Sequence, residues 1–108
     1  MEISAEELMK QAEANGTLTT KIKIYSIKDL KEGKFAQPFY FINDAMAKRA
    51  LFGSVNYGEK GKSTLADYPT DYDLYKLGEY DEKTGELKTD IKFICNAGDL
   101  KNKEYKEI

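Results

Sequence analysis

The chain of 108 residues carries 17 Lys and Arg against 19 Asp and Glu, and it contains no His, no Trp and a single Cys. A protein without His has no imidazole base near neutral pH, which excludes Ser-His and Cys-His catalysis and His-ligated zinc. One Cys cannot close an intrachain disulfide. These counts favour a single intracellular domain with a modest core, and they leave its function open.

The first predicted element is a short amphipathic helix over about residues 5–14. Ser4 and Glu7 have the spacing of a capping box, and Asn15-Gly16 supplies a stop. A helix of this length is not stable alone, so either its apolar stripe docks on another surface, which could be a second subunit, or the helix frays. The stripe consists of Ala5, Leu8, Met9 and Ala12. The acidic start of the chain lacks the layout of a secretory signal, so we expect a cytosolic protein.

A β-hairpin is predicted to follow this helix. Residues 18–28 alternate with period two, which places Ile22 and Ile24 on one face of a half-solvated strand. The other face is the one expected to be exposed, and its residues include Lys21, Lys23 and Tyr25. Residues 35–42 form the second strand. Pro38 predicts an edge position or a bulge there, because proline donates no hydrogen bond to a sheet.

A central helix and a second hairpin complete the predicted fold. Asn43 is a suitable N-cap, and the helix is expected to end near Gly53 or near Gly58. Strands are predicted over residues 72–80 and 86–94. The expected fold class is α+β: an antiparallel sheet from two β-hairpins (ββαββ) packed on a central helix, with the short N-terminal helix added.

The whole chain, residues 1–108, is expected to form one domain. Within it we distinguish a helical extension over residues 1–16, an α+β core over residues 17–95 and a polar tail over residues 96–108.

Three patterns that could indicate catalysis or ligand binding are better explained structurally. Gly61 to Ser63 matches the end of a phosphate loop, but Asn56 stands where the first glycine belongs and a helix precedes it. The acids of residues 67–82 lack the spacing of a calcium loop and have no partner nucleophile. Cys95 follows an apolar pair and is typical of a buried, unreactive thiol. We therefore expect no enzyme activity, no cofactor and no metal site.

The aromatic residues are the most suggestive group. Rings fall in the predicted strands with lysines between them, and a sheet face that shows Tyr beside Lys can stack bases and hold phosphates. The alternative, which is the more frequent for any single ring, is that these rings fill the core of a domain without Trp. The candidate nucleic-acid-binding residues are Lys21, Lys23, Tyr25, Lys28, Tyr40, Lys48 and Arg49.

Three segments, KIYSIKD (23–29), QPFYFINDAMAKRAL (37–51) and DYPTDYDLYKLGEYDEKTGEL (67–87), occur in an order that resembles a known family. They are similar to the small nonstructural protein of gokushoviruses, the single-stranded DNA phages of the microvirus group, over about residues 21–88. The resemblance implies a protein of the host bacterial cytoplasm that binds DNA during replication or packaging of a circular single-stranded genome. It supplies no catalytic motif.

The leading hypothesis is therefore a non-enzymatic phage accessory protein that binds single-stranded DNA weakly and without sequence preference. With a net charge of −2, the protein would need to form a homodimer or a higher oligomer to align its cations. The rival hypothesis is a protein-interaction adaptor for a phage replication or scaffold protein or for a host factor. An enzyme that uses clustered acids and a metal is the least favoured, and no membrane partner is expected.

Overall fold

The structure is a computed structural model, and it describes residues 21–59, 61 and 63–103. The predicted N-terminal helix lies outside the described residues, as do the last five residues of the predicted tail.

A five-stranded antiparallel sheet forms one layer of the fold. Its strands are β1 (Lys21–Asp29), β2 (Lys34–Phe35), β3 (Phe39–Phe41), β4 (Tyr72–Asp81) and β5 (Leu87–Asn96). Strand β4 lies between β1 and β5, while β2 and β3 both pair with the other side of β1. The sheet packs on one main helix, which confirms the predicted α+β class.

The second predicted strand is divided at Pro38. Residues 36–38 separate β2 from β3, and both short strands lie at the edge of the sheet, as Pro38 predicted. Both backbone polar groups of Ala36, in this break, are hydrogen-bonded to β1: the Ser26 hydroxyl donates a bond of 2.7 Å to the Ala36 carbonyl, and the Ala36 N–H donates one of 2.8 Å to the Ile27 carbonyl. The order of elements therefore differs from the predicted ββαββ by one extra strand before the helix.

The main helix, α1 (Asp44–Tyr57), begins at the predicted cap. The Asn43 side chain accepts a hydrogen bond of 2.9 Å from the Met46 N–H, and Asp44 lies in the first turn, where the helix dipole favours an acid. Of the two predicted ends, the structure shows the one at Gly58. A short helix, α2 (Thr64–Asp67), and a 3₁₀ turn, Pro69–Asp71, then lead into β4.

The hydrophobic core lies between α1 and one face of the sheet. Tyr25 and Leu74 contribute from the sheet, and they pack with buried residues of the helix, namely Ala47, Leu51, Phe52 and Val55. Ala97 and Leu100, in a 3₁₀ turn after β5, are also buried in this core. Among the described residues, the buried core therefore includes side chains as far along the chain as Leu100.

Strands β4 and β5 approach each other closely at Gly78. The register of their pairing shifts between Lys76 and Gly78, and a Cβ built at Gly78 would collide with the backbone carbonyl oxygen of Lys88. This position therefore requires glycine. Among the described residues, no helix is long and apolar enough to cross a membrane.

Candidate ligand-binding face

Tyr25, the predicted stacking residue, is buried in the core. Its side chain is 0% exposed, and its ring packs on Phe39 and Phe41 with centroid distances of 6.1 and 6.3 Å. Its hydroxyl donates a hydrogen bond of 2.6 Å to Asp44 Oδ1. The expectation that Tyr25 is exposed is therefore wrong, because the first turn of α1 covers the ring and supplies an acceptor for its buried hydroxyl.

The buried hydroxyl of Tyr25 is also a poor acid. Desolvation, the hydrogen bond to Asp44 and the negative charge of that carboxylate raise its pKa well above the ordinary value of about 10. A neutral hydroxyl is what keeps the hydrogen bond to Asp44 intact.

Lys21 and Lys23 share the strand face of Tyr25 by alternation, and they lie among acids. The Lys23 Nζ is 2.7 Å from Glu79 Oε1, and this hydrogen bond lowers the pKa of the Glu79 carboxyl. Lys21 lines a small cavity of about 70 Å³ together with Asp81, Glu86 and further charged residues. Acids and bases alternate here, so this part of the sheet presents no cationic patch.

The seven candidate residues are distributed over three surfaces. Lys48 and Arg49 lie on α1, the first half-buried and the second exposed. Only Lys28 and Tyr40 lie on the opposite face of the sheet from Tyr25. The structure therefore does not bring the predicted set together.

The face of the sheet opposite to α1, here called the open face, exposes large apolar side chains. Its members follow from strand alternation relative to Tyr25 and from the antiparallel pairs, since paired residues share a face. Its aromatic, aliphatic and cationic members include Ile22, Ile24, Lys28, Phe35, Tyr40, Tyr75, Tyr80, Leu87 and Phe93. Asp73, which pairs with Lys28, and Thr89, which pairs with Gly78, also lie on this face. The exposed fractions are 43% for Phe35, 58% for Tyr40, 67% for Leu87 and 50% for Phe93.

One end of the open face carries an aromatic row, which we define as Phe35, Tyr75 and Phe93 with Lys28. The ring of Tyr75 makes edge-to-face contacts with Phe35 and Phe93, at centroid distances of 5.4 and 5.8 Å. The Lys28 Nζ lies 5.5 Å from the Phe35 centroid and 5.9 Å from the Tyr75 centroid. The row therefore combines π surfaces from three strands with one cation.

The other end of the open face carries an apolar depression of about 440 Å³, lined by Ile22, Tyr40, Tyr80 and Leu87. Its walls come from four strands, because Ile22 of β1 pairs with Tyr80 of β4, Tyr80 pairs with Leu87 of β5, and Tyr40 lies in β3. The aromatic row and the apolar depression together make the open face the main candidate for ligand binding.

Phe35 and Phe93 are functional candidates that sequence reasoning missed. The sequence of β5 does contain a pattern that could have indicated an exposed apolar face. Apolar Leu87 and Phe93 lie on the open face, while the polar residues Lys88 and Lys92 lie on the opposite face. The partner of each ring could not be found in this way, because it depends on the order of the strands.

A family model described as "Phage ORF5 protein" matches residues 22–100 of the chain. The chain belongs to this family. It is therefore a phage protein. The comparison with curated proteins found no match, and neither did the comparison with solved structures.

The Phage ORF5 match covers every described strand and helix almost completely. It begins at Ile22 in β1 and ends at Leu100, the last buried residue of the core. The apolar depression and the aromatic row both lie inside the matched range, so the open face belongs to the part of the chain that defines the family.

The described part of this Phage ORF5 protein holds no group of three His, Cys, Asp or Glu side chains that could bind a metal ion. Cys95 is half-buried, and burial raises the pKa of its thiol, partly offset by the positive charge of Lys48. The thiol is therefore protonated at neutral pH and is a weak nucleophile.

Proposed function

We propose that this phage protein is a non-enzymatic accessory factor that binds single-stranded DNA, weakly and without sequence preference. It would act in the host bacterial cytoplasm, during replication or packaging of a circular single-stranded genome of the gokushovirus kind, without a metal or cofactor. The aromatic row of the open face is the observation that carries this proposal.

The chemistry of the aromatic row suits a single strand. Every base has a π face, so exposed rings bind bases with little regard to sequence. Phe35 and Phe93 are about half exposed, and the Lys28 Nζ lies 5.5 Å from the Phe35 centroid, so a phosphate of a strand stacked on the row could reach this cation. Lys28 and Tyr40 are retained from the sequence-predicted set, while Phe35, Tyr75 and Phe93 take the place of Tyr25.

The charge of the open face explains why binding would be weak. Lys28 is the only cation among the residues that define this face, and the whole chain has a net charge of −2. Phosphate neutralisation supplies most of the affinity of sequence-independent binding. A homodimer or a higher oligomer would present several aromatic rows to one strand and would raise the affinity without any new contact.

The test is a titration of fluorescently labelled oligothymidine, followed by anisotropy at several salt concentrations. Phe93→Ala is expected to weaken binding about fivefold or more, since one stacked base contributes roughly 1–3 kcal/mol. Lys28→Gln is expected to reduce the salt dependence by about 0.7 in the slope of log K against log salt. Tyr68→Ala is the matched control, because Tyr68 is 62% exposed and lies outside the open face. Equal affinities of Phe93→Ala and Tyr68→Ala would contradict the proposal.

A second candidate function is a protein-interaction adaptor for a phage replication or scaffold protein or for a host factor. It is favoured by the apolar depression and by a second apolar cavity of about 260 Å³, lined by Phe39, Phe41, Leu51 and neighbouring residues. Tagged protein would be captured from infected cells with and without nuclease. A partner that survives nuclease and is lost in Leu87→Asp would support the adaptor. Loss of every partner on nuclease treatment would contradict it.

A further inference from the structure

The apolar depression lies next to the point where the chain enters the sheet. Ile22, which lines the depression, is the second residue of β1, and 20 residues precede that strand. Any segment built from those residues is therefore held beside the depression by a short connection.

The sequence of the 20 residues before β1 has the properties expected of a segment that binds in the apolar depression. Its predicted helix has an apolar stripe whose largest members are Leu8 and Met9. Residues 1–16 contain four acidic residues against one basic residue, a net charge of −3. An amphipathic helix of this length requires an apolar surface to be stable.

We propose that residues 5–14 dock as a helix in the apolar depression of their own chain, with Leu8 and Met9 facing Tyr40, Tyr80 and Leu87. The dimensions allow it. A ten-residue helix is about 15 Å long, and the six residues that connect it to β1 span at most about 20 Å. The open face measures about 20 Å along β1 from Ile22 to Lys28.

The short connection to β1 favours docking of the chain's own N-terminal segment over docking of a second copy of the chain. A short linker holds a binding segment at an effective concentration of about millimolar. A stable dimer, in contrast, needs about 800 Å² from each partner, whereas only four of the described residues line the depression. The size of the depression therefore suits one short helix better than a second sheet.

Docking would also regulate the proposed function, and this part of the inference rests on that function. The segment would cover Tyr40 and bring its acids onto the face that carries Lys28. Bound DNA and the docked segment would then exclude each other, through competition for Tyr40 and through repulsion between carboxylates and phosphates.

The experiment uses the full chain and compares Leu8→Asp with Ala14→Asp. Both variants add one negative charge, but Leu8 belongs to the apolar stripe, while Ala14 lies on the opposite side of the predicted helix. We expect ANS fluorescence to rise at least twofold in Leu8→Asp and to stay unchanged in Ala14→Asp. In the unsubstituted chain we expect NOEs between the Leu8 methyls and the rings of Tyr40 and Tyr80.

Two results would overturn the docking proposal. The first is the absence of these NOEs together with equal ANS fluorescence in both variants. The second is NOEs that run only between chains in a sample mixed from labelled and unlabelled protein, because a second copy would then be the occupant.

The DNA measurement separates this inference from the proposed function. If both hold, Leu8→Asp binds oligothymidine more tightly than the unsubstituted chain, by about threefold or more. If the NOEs are present and neither protein binds DNA, the docking stands and the proposed function fails. If the unsubstituted chain binds DNA and Leu8→Asp changes neither affinity nor ANS fluorescence, the docking fails alone.

Discussion

Replacement of Tyr25 by Phe tests whether the buried hydrogen bond to Asp44 stabilises the fold. The substitution removes one oxygen and leaves the ring in place, so it opens almost no cavity. A hydrogen bond to a charged group contributes about 1.5–3 kcal/mol, and removal of one partner leaves the other to be solvated. Asp44 is only half-buried, so water can reach its carboxylate. We therefore expect a loss of about 1–2 kcal/mol in the free energy of unfolding.

The assay is equilibrium unfolding in urea, with a thermal melt of the same samples. The urea midpoint should fall while the m-value stays constant, because the surface exposed on unfolding does not change. The melting temperature should fall by roughly 4–8 °C for each kcal/mol lost. Tyr57→Phe is the control, since Tyr57 is 78% exposed and its substitution should leave both quantities unchanged.

A double-mutant cycle with Asp44→Ala isolates the contact. Asp44 also favours the N-terminus of α1 through the helix dipole, so its single substitution costs more than the hydrogen bond alone. The cycle should give a coupling energy of about 1 kcal/mol between Tyr25 and Asp44. Additive effects of the two substitutions, or unchanged stability of Tyr25→Phe, would refute the reasoning.

The same contact makes stability depend on alkaline pH. The pKa of Tyr25 is raised in the folded chain, so its contribution is complete below the unfolded value of about 10 and is lost as the pH rises through the folded pKa. An ultraviolet titration of the eight tyrosines should show one that ionises only as the chain unfolds. This late ionisation, which accompanies unfolding, should be absent from the titration of Tyr25→Phe.

Three further predictions follow from local geometry. Gly78→Ala should destabilise the fold by about 1–3 kcal/mol, because the added Cβ would collide with the Lys88 carbonyl. Gly53→Ala should instead stabilise it by about 0.5–1 kcal/mol, because Gly53 lies within α1 and a Cβ there meets nothing. Thermal melts measure both effects. Asn43→Ala should lower the free energy of unfolding by about 1 kcal/mol because the helix loses its N-cap, whereas Asn43→Asp should keep most of the stability. Equal urea midpoints for Asn43→Ala and the unsubstituted chain would contradict the role of the cap. Cys95 should react with DTNB at pH 8 more slowly in the folded chain than in urea, and equal rates would contradict its burial.

The elements with local signals could be predicted from the sequence. Asn43 caps its own helix, Pro38 interrupts its own strand, and the alternation within residues 18–28 can be recognised without knowledge of the neighbouring strands. Which face of β1 packs on the helix could not be predicted, because alternation shows that Tyr25 shares a face with Lys21 and Lys23 but not that this face is covered. The decision depends on Asp44, which is 19 residues away from Tyr25 along the chain.

The candidate site was found only in part for the same reason. Lys28 and Tyr40 could be named because they lie in predicted strands beside other aromatic and basic residues. Phe35 and Phe93 could not be joined to them, since their common neighbour, Tyr75, lies on β4 between two strands that are far apart in the chain. Strand order is a property of the whole sheet, and no short segment carries it.

Because of the break at residues 36–38, the strands that carry the three rings of the aromatic row differ greatly in length. Phe35 lies on β2, which only two residue pairs hold to β1, whereas Tyr75 and Phe93 lie on strands of ten residues. Local opening costs least where few backbone contacts must be broken. We therefore expect Phe35 to separate from the aromatic row at a lower cost in free energy than Tyr75 or Phe93. If the open face binds bases as proposed, this difference would let the aromatic row adjust to a purine or a pyrimidine through β2 alone.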